Sequence, residues 1–154
     1  MDEGPCKPLI TVVPLGDEHI DGLCTVEEKS FSVPWSKESF VSVLSNPLAV
    51  FFVACDEEGK VIGYVGMYQI LSEGQITNIA VLPEYRRMGI ATELFDRLFE
   101  YCKDREVELI TLEVRQSNLA AIEFYNKYGF EEVGIRKDYY TCPKENALLM
   151  NRQM

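Results

Sequence analysis

The stretch Ile79-Ala80-Val81-Leu82-Pro83-Glu84-Tyr85-Arg86-Arg87-Met88-Gly89-Ile90-Ala91-Thr92 sets an apolar strand, a tight loop and a strong helix in succession. A helix starts with backbone N–H groups that have no carbonyl one turn back, and its dipole places partial positive charge at the same end. Beside Arg86 and Arg87, those amides suit phosphate oxygens. Gly89 lets a ligand approach the backbone because no Cβ intervenes, and the small Ala91 keeps the first turn open. An ordinary strand-to-helix turn carrying surface arginines fits the same residues. Two other phosphate loops do not fit: there is no Gly-Lys-Ser/Thr ending, and no G-x-G-x-x-G between a strand and a helix.

A second chemical candidate lies in Leu109 to Val114. Alternation puts Ile110, Leu112 and Val114 on one face and Thr111, Glu113 and Arg115 on the other. Glu113 is a charge among apolar neighbours, and on the residues alone it reads as a carboxylate at a solvated strand end, where most strand carboxylates are found. Tyr125 lies on the apolar side of the next helix, where a tyrosine is more often core than catalyst; its hydroxyl still needs a partner when buried. The single histidine, His19, is far along the chain from Cys102 and Cys142, which argues against a Cys/His nucleophile pair. The five cysteines, Cys6, Cys24, Cys55, Cys102 and Cys142, are odd in number and contain no C-x-x-C or zinc-like grouping. They read as reduced structural thiols in cytoplasm, and no metal site is expected.

These residues need elements to position them, and the pattern supplies one alternating series. Leu9 to Val13 is a short strand. Ile20, Leu23, Cys24 and Glu27 through Phe31 are loosely helical, and Pro34 breaks the pattern before a second helix capped by Ser36. That helix is expected to carry Phe40, Val41 and Leu44 on one face and to end before Asn46-Pro47. Strands Ala49 to Cys55 and Lys60 to Tyr68 flank the turn Asp56-Glu57-Glu58-Gly59, and Gly63 and Gly66 suggest a bend in the second strand. Gln75 to Val81 is a third strand. Ile90, Leu94, Leu98, Tyr101 and Cys102 recur at helical spacing over Ile90 to Lys103. A helix over Asn118 to Tyr128 stops at Gly129. Glu131 to Tyr140 and Asn146 to Asn151 are the last strands, around a turn holding Pro143. The order β α α β β β α β α β β describes one mixed α/β domain, residues 1–154, around a central sheet.

Composition agrees with that reading. In 154 residues, 47% are hydrophobic and 26% charged, enough for one packed core. The longest apolar run, Leu48 to Cys55, is eight residues, against roughly 20 for a spanning helix. The start Met1-Asp2-Glu3-Gly4 is acidic where a secretory signal needs basic and then apolar residues. The net charge of -10 opposes nucleic acid and anionic membranes as partners and suits a basic peptide or amine.

Arg86-Arg87-Met88-Gly89-Ile90-Ala91 resembles the Q/R-x-x-G-x-G/A loop of the GCN5-related N-acetyltransferase (GNAT) superfamily, with Ala91 where many relatives have Gly. Thr111-Leu112-Glu113-Val114-Arg115, Ser117-Asn118, Ala120-Ala121-Ile122, Phe124-Tyr125 and Tyr128-Gly129-Phe130 follow in that superfamily's order. Pro34-Trp35-Ser36, Asn78-Ile79-Ala80-Val81, Asp138-Tyr139-Tyr140 and Glu145 to Met150 are similar to its ribosomal-protein-alanine N-acetyltransferase (RimI) branch. The likeness runs from about Val26 to Met150. It implies a mostly antiparallel mixed sheet flanked by helices, and acetyl transfer from acetyl-coenzyme A to the N-terminal alanine of a small-subunit ribosomal protein.

By the same resemblance, the main chain of Arg86, Arg87, Met88, Gly89, Ile90, Ala91 and Thr92 grips the cofactor's pyrophosphate. Its pantetheine arm lies along Ile79, Ala80 and Val81, and Asn118 is a further contact. Glu113 is implied as general base and Tyr125 as the acid that protonates the departing thiolate; partial burial favours the neutral form of a carboxyl and so suits a base to working pH. Trp35, Tyr139 and Tyr140 border the acceptor groove. A lysine side chain or small amine as acceptor, or a non-catalytic module that binds acyl-coenzyme A, are the alternatives, since one scaffold serves many amines.

Overall fold

Short β-branched and aromatic runs alternate with four helical stretches, and the chain folds in the order those patterns predict. The computed structural model describes residues 9–154. The acidic start Met1 to Gly4 and Cys6 lie outside the described residues. Seven strands, β1 (Thr11–Pro14), β2 (Ala49–Cys55), β3 (Val61–Ile70), β4 (Glu73–Val81), β5 (Leu109–Arg115), β6 (Glu131–Tyr140) and β7 (Glu145–Gln153), form one sheet in the order β1-β2-β3-β4-β5-β7-β6. All neighbours are antiparallel except β4 and β5. Four helices accompany it: α1 (Ile20–Ser30), α2 (Lys37–Val43), α3 (Ile90–Asp104) and α4 (Leu119–Lys127).

The two faces of β3 decide which helix covers which side. Tyr64 reaches Glu27 of α1 and packs edge-on against Phe40 of α2, whereas Met67 meets Cys102 of α3. Even and odd positions of one strand thus bury against different helices, as a period of two requires. α4 joins the α3 side, where Phe95 stacks on Tyr125 and meets Tyr128 edge-on.

Local turn chemistry explains the joints. The Asp56 carboxylate accepts N–H bonds from Glu58 and Lys60, both at 2.9 Å, and Gly59 takes φ +84° to close the β2–β3 hairpin. At Gly66 a Cβ would lie 2.4 Å from the Phe51 ring, and the β3–β4 register shifts there. The bend expected from that glycine is therefore a bulge that lets an aromatic ring cross the strand. Ser36 caps α2 by accepting from the Ser39 N–H at 3.2 Å.

Two sequence expectations need correction. The first strand is displaced to Thr11–Pro14, because its pairing with Phe52 to Cys55 of β2 sets its limits. On α2, Phe40 and Val43 face the core, while Val41 and Leu44 are 45% and 38% exposed. The helix is only seven residues long, and a spacing of three suffices to define its buried side.

Candidate active site

β4 and β5 run parallel but pair only over Glu73–Gln75 and Leu109–Thr111. Beyond that point β4 continues to Val81 and β5 to Arg115, so the two strands separate and leave a gap in the sheet. Leu82 donates its N–H to Ile62 at 2.8 Å. By alternation, the backbone groups of Val81 and Ile79 turn away from β3 toward the gap. The Val81 carbonyl is met there by Arg86 Nε at 3.0 Å.

At the end of β4 the chain turns through Pro83–Tyr85 and enters α3. Arg87 and Gly89 both have left-handed backbones, φ +64° and +80°. The first intrahelical bond runs from Glu93 N–H to the Gly89 carbonyl at 3.1 Å. The N–H groups of Ile90, Ala91 and Thr92 therefore precede the ladder, and Gly89 has no side chain to cap them. Val81, Tyr85, Arg86, Arg87, Gly89, Ile90, Ala91, Thr92 and Phe124 line one pocket, which joins the open edge of β4 to the helix N-terminus. Met88 projects outward at 40% exposure. Arg86 ties the loop to β4 through its side chain, so it shapes the loop in addition to contributing charge.

On the opposite strand Ile110, Leu112 and Val114 are buried while Thr111, Glu113 and Arg115 are half-buried, as alternation predicts. Glu113, whose side chain is 13% exposed, lies 3.0 Å through Oε2 from Arg136 Nε of β6. Burial first, and then the Glu113 carboxylate, raises the Tyr139 phenol above its ordinary value and pushes the Tyr140 phenol up to about 12. Tyr139 and Tyr140 meet edge-on at 5.0 Å, each under an arginine: Arg136 over Tyr139 at 5.4 Å and Arg115 over Tyr140 at 4.5 Å. Arg115 is itself fixed by Glu145 at 3.3 Å and by the Pro143 carbonyl at 2.8 Å.

Tyr125 is 7% exposed and stacks on Phe95. Burial, and to a lesser degree Tyr140, holds its phenol above the ordinary tyrosine value. Glu113, Tyr139 and Tyr140 thus share one polar neighbourhood with Arg136. Asn118 accepts from the Ala121 N–H at 3.2 Å, so its side-chain oxygen caps α4.

Trp35 stands on the other wall. Its ring packs on Phe40 and Phe51 at 5.3 and 6.2 Å, and its backbone N–H donates to Glu27 at 2.9 Å. The two walls are tied where Ser32 donates to the Cys142 carbonyl at 2.6 Å. Arg136 and Glu27 were not expected at the site. β6 is exposed along most of its length and shows no alternation that would single out Arg136. Glu27 had a signal: with Ile20 and Leu23 it follows i, i+3, i+7 spacing, which puts it on the buried side of α1.

The other nucleophile candidates are accounted for structurally. His19 accepts from the Gly16 N–H at 2.9 Å. Burial raises the thiols of Cys55 and Cys102, the latter to about 11. Among the described residues, no three His, Cys, Asp or Glu side chains gather to hold a metal ion, and no helix is long and apolar enough to cross a membrane.

Residues 20–130 match the family model described as the acetyltransferase (GNAT) family. The chain is 42% identical over 134 residues to a Bacillus subtilis (strain 168) protein provisionally named [ribosomal protein bS18]-alanine N-acetyltransferase, covering 86% of this chain and 88% of that one. With the Escherichia coli (strain K12) [ribosomal protein bS18]-alanine N-acetyltransferase it shares 35% identity over 127 residues, 81% of this chain and 84% of that one. The crystal structure of the ribosomal-protein-S18-alanine N-acetyltransferase from Escherichia coli superposes with a TM-score of 0.87 at 31% identity, covering 94% of each chain. A sheet that parts between β4 and β5 above an uncapped helix, together with this breadth of similarity, makes the chain a member of the acetyltransferase (GNAT) family.

Proposed function

We propose that this acetyltransferase moves the acetyl group of acetyl-coenzyme A to the α-amine of an N-terminal alanine on a small-subunit ribosomal protein, the reaction named for its relatives. The observation that carries the reading is the parted sheet: an open β4 edge leads to free amides at the start of α3, with Glu113 on the facing strand. In this reading the amides of Arg87 to Thr92 hold the pyrophosphate, and the pantetheine arm adds alongside Ile79 to Val81 like an extra strand. Arg86 and Met88 frame the loop, and Asn118 supports the cofactor from the start of α4.

The acceptor amine nitrogen attacks the thioester carbonyl carbon, and the carbonyl oxygen gains negative charge that the Val81 N–H stabilises. The nitrogen loses its proton to Glu113, directly or through one water. Collapse breaks the C–S bond, and the departing sulfur takes a proton from Tyr125. The products are the N-acetylated amine and coenzyme A. A phenol held above its ordinary value by burial stays protonated and available for that step. Because a free α-amine titrates near 7.7–8.0 against about 10.4 for lysine, far more of it is neutral at working pH.

Trp35, Tyr139 and Tyr140 flank the acceptor in this reading, and the net charge of -10 favours a basic peptide. A ribosomal acceptor places the reaction in the cytoplasm. Incubation of purified ribosomal proteins with enzyme and acetyl-coenzyme A, followed by mass spectrometry, tests it. One protein acetylated on its N-terminal alanine is expected; acetylation confined to lysines refutes the assignment.

A further inference from the structure

Glu27 is 1% exposed, the one charged side chain buried to that degree among the described residues, and acetyl transfer as derived above makes no use of it. Its Oε1 accepts from the Tyr64 hydroxyl at 2.5 Å and its Oε2 from the Trp35 backbone N–H at 2.9 Å. Tyr64 is fully buried between Phe40 and Phe51 and is the register partner of Ala80 on β4. One carboxylate therefore links the turn that carries Trp35 to the strand that leads into the cofactor loop.

Stability alone does not account for such a group. Removing a carboxylate from water is costly, and apolar residues of similar volume fill buried positions at least as well. The geometry is specific: Trp35 immediately precedes the Ser36 cap of α2. The Trp35 N–H has its acceptor on α1, eight residues back, so the turn is held by a side chain and not by sheet or helix bonds.

We infer that Glu27 is a positioning residue for the acceptor: by holding the Trp35 backbone against Tyr64, it sets the wall of the groove that receives the peptide N-terminus. This rests on the peptide-acceptor reading above. The turn Glu27 holds directly is that of Trp35, so its influence falls first on acceptor binding.

The chain's single tryptophan is Trp35 itself, which gives a readout independent of activity. In Glu27→Leu both bonds are lost; the KM for an alanine-initiated peptide should rise at least about tenfold while that for acetyl-coenzyme A stays within about twofold. Trp35 emission should move to longer wavelength and acrylamide quenching should increase. Glu27→Gln keeps an acceptor for the Trp35 N–H and should restore the peptide KM to within about threefold of wild type. Tyr64→Phe, which keeps the ring packing, should fall between them if Glu27→Leu does not fold. A folded variant with unchanged peptide KM, or equal losses for both substrates, overturns the inference. If the wild-type chain acetylates no α-amine peptide, the proposed function fails; unchanged Trp35 emission and quenching in the variants then overturn the role of Glu27 separately, and altered emission and quenching uphold its hold on the Trp35 turn.

Discussion

Arg136 Nε lies 3.0 Å from Glu113 Oε2, so the only acidic side chain of β5 shares its space with a guanidinium. A cation at that point repels an incoming ammonium and leaves a neutral amine unopposed. The pair therefore suits a reaction in which the acceptor arrives as the free base, or gives up its proton as the bond to carbon forms.

Replacing Glu113 by Gln removes the proton acceptor and keeps the side chain's size. kcat for peptide acetylation should fall about 10²- to 10³-fold, with acetyl-coenzyme A binding by calorimetry unchanged. Retention of full kcat would remove Glu113 from the mechanism.

Tyr125→Phe keeps the stacking on Phe95 and deletes the hydroxyl. A loss of about 10- to 100-fold in kcat is expected. Because burial raises the phenol above its ordinary value near 10, its protonated form persists through neutral pH. The wild-type rate should therefore show no fall from phenol ionisation between about pH 7 and 10, and the loss in Tyr125→Phe should be even across that range.

Gly89 and Gly59 separate strain from function. Both have left-handed backbones, φ +80° and +84°, and a Cβ on Gly59 would meet nothing within 4 Å. Alanine at either site costs about 1–2 kcal/mol in stability, measurable by urea denaturation. Gly89→Ala alone should raise the KM for acetyl-coenzyme A, by about tenfold. Equal KM values in the two variants would place the cofactor elsewhere.

Burial raises the Glu27 carboxyl above its ordinary 4.5, opposed by the donors Tyr64 and Trp35. With the folded value above the unfolded one, the native state binds more protons in the interval between them, and stability falls as pH rises through it. The Tm of wild type relative to Glu27→Gln should therefore decline from pH 4.5 upward. A relative Tm that rises over this interval would show the carboxyl shifted the other way.

Much of this architecture is written in local patterns. The helical period of Ile90, Leu94, Leu98 and Cys102 and the strict alternation around Glu113 reappear as burial in α3 and β5, and Gly59 and Gly129 take the positive φ their turns require. Periodicity does not encode which strands become neighbours. The placing of β5 between β4 and β7, and the parting of β4 from β5 after three paired residues, arise from tertiary packing. The side of α2 that is buried depends on where Phe40 meets Trp35 and Tyr64, and Arg136 gains its place from a strand with no alternation at all. The turn into α3 was legible because a glycine at a strand-to-helix joint marks it locally; Trp35, Glu113 and Tyr139 come from three separate segments, which no local pattern connects.

A crystal structure with coenzyme A and an alanine-initiated peptide bears most directly on the central claim. The diphosphate should accept hydrogen bonds from the main-chain N–H groups between Arg87 and Thr92, with the peptide nitrogen within one water of Glu113. A diphosphate bound away from those amides, or a peptide entering on the side remote from Tyr139 and Tyr140, would contradict it.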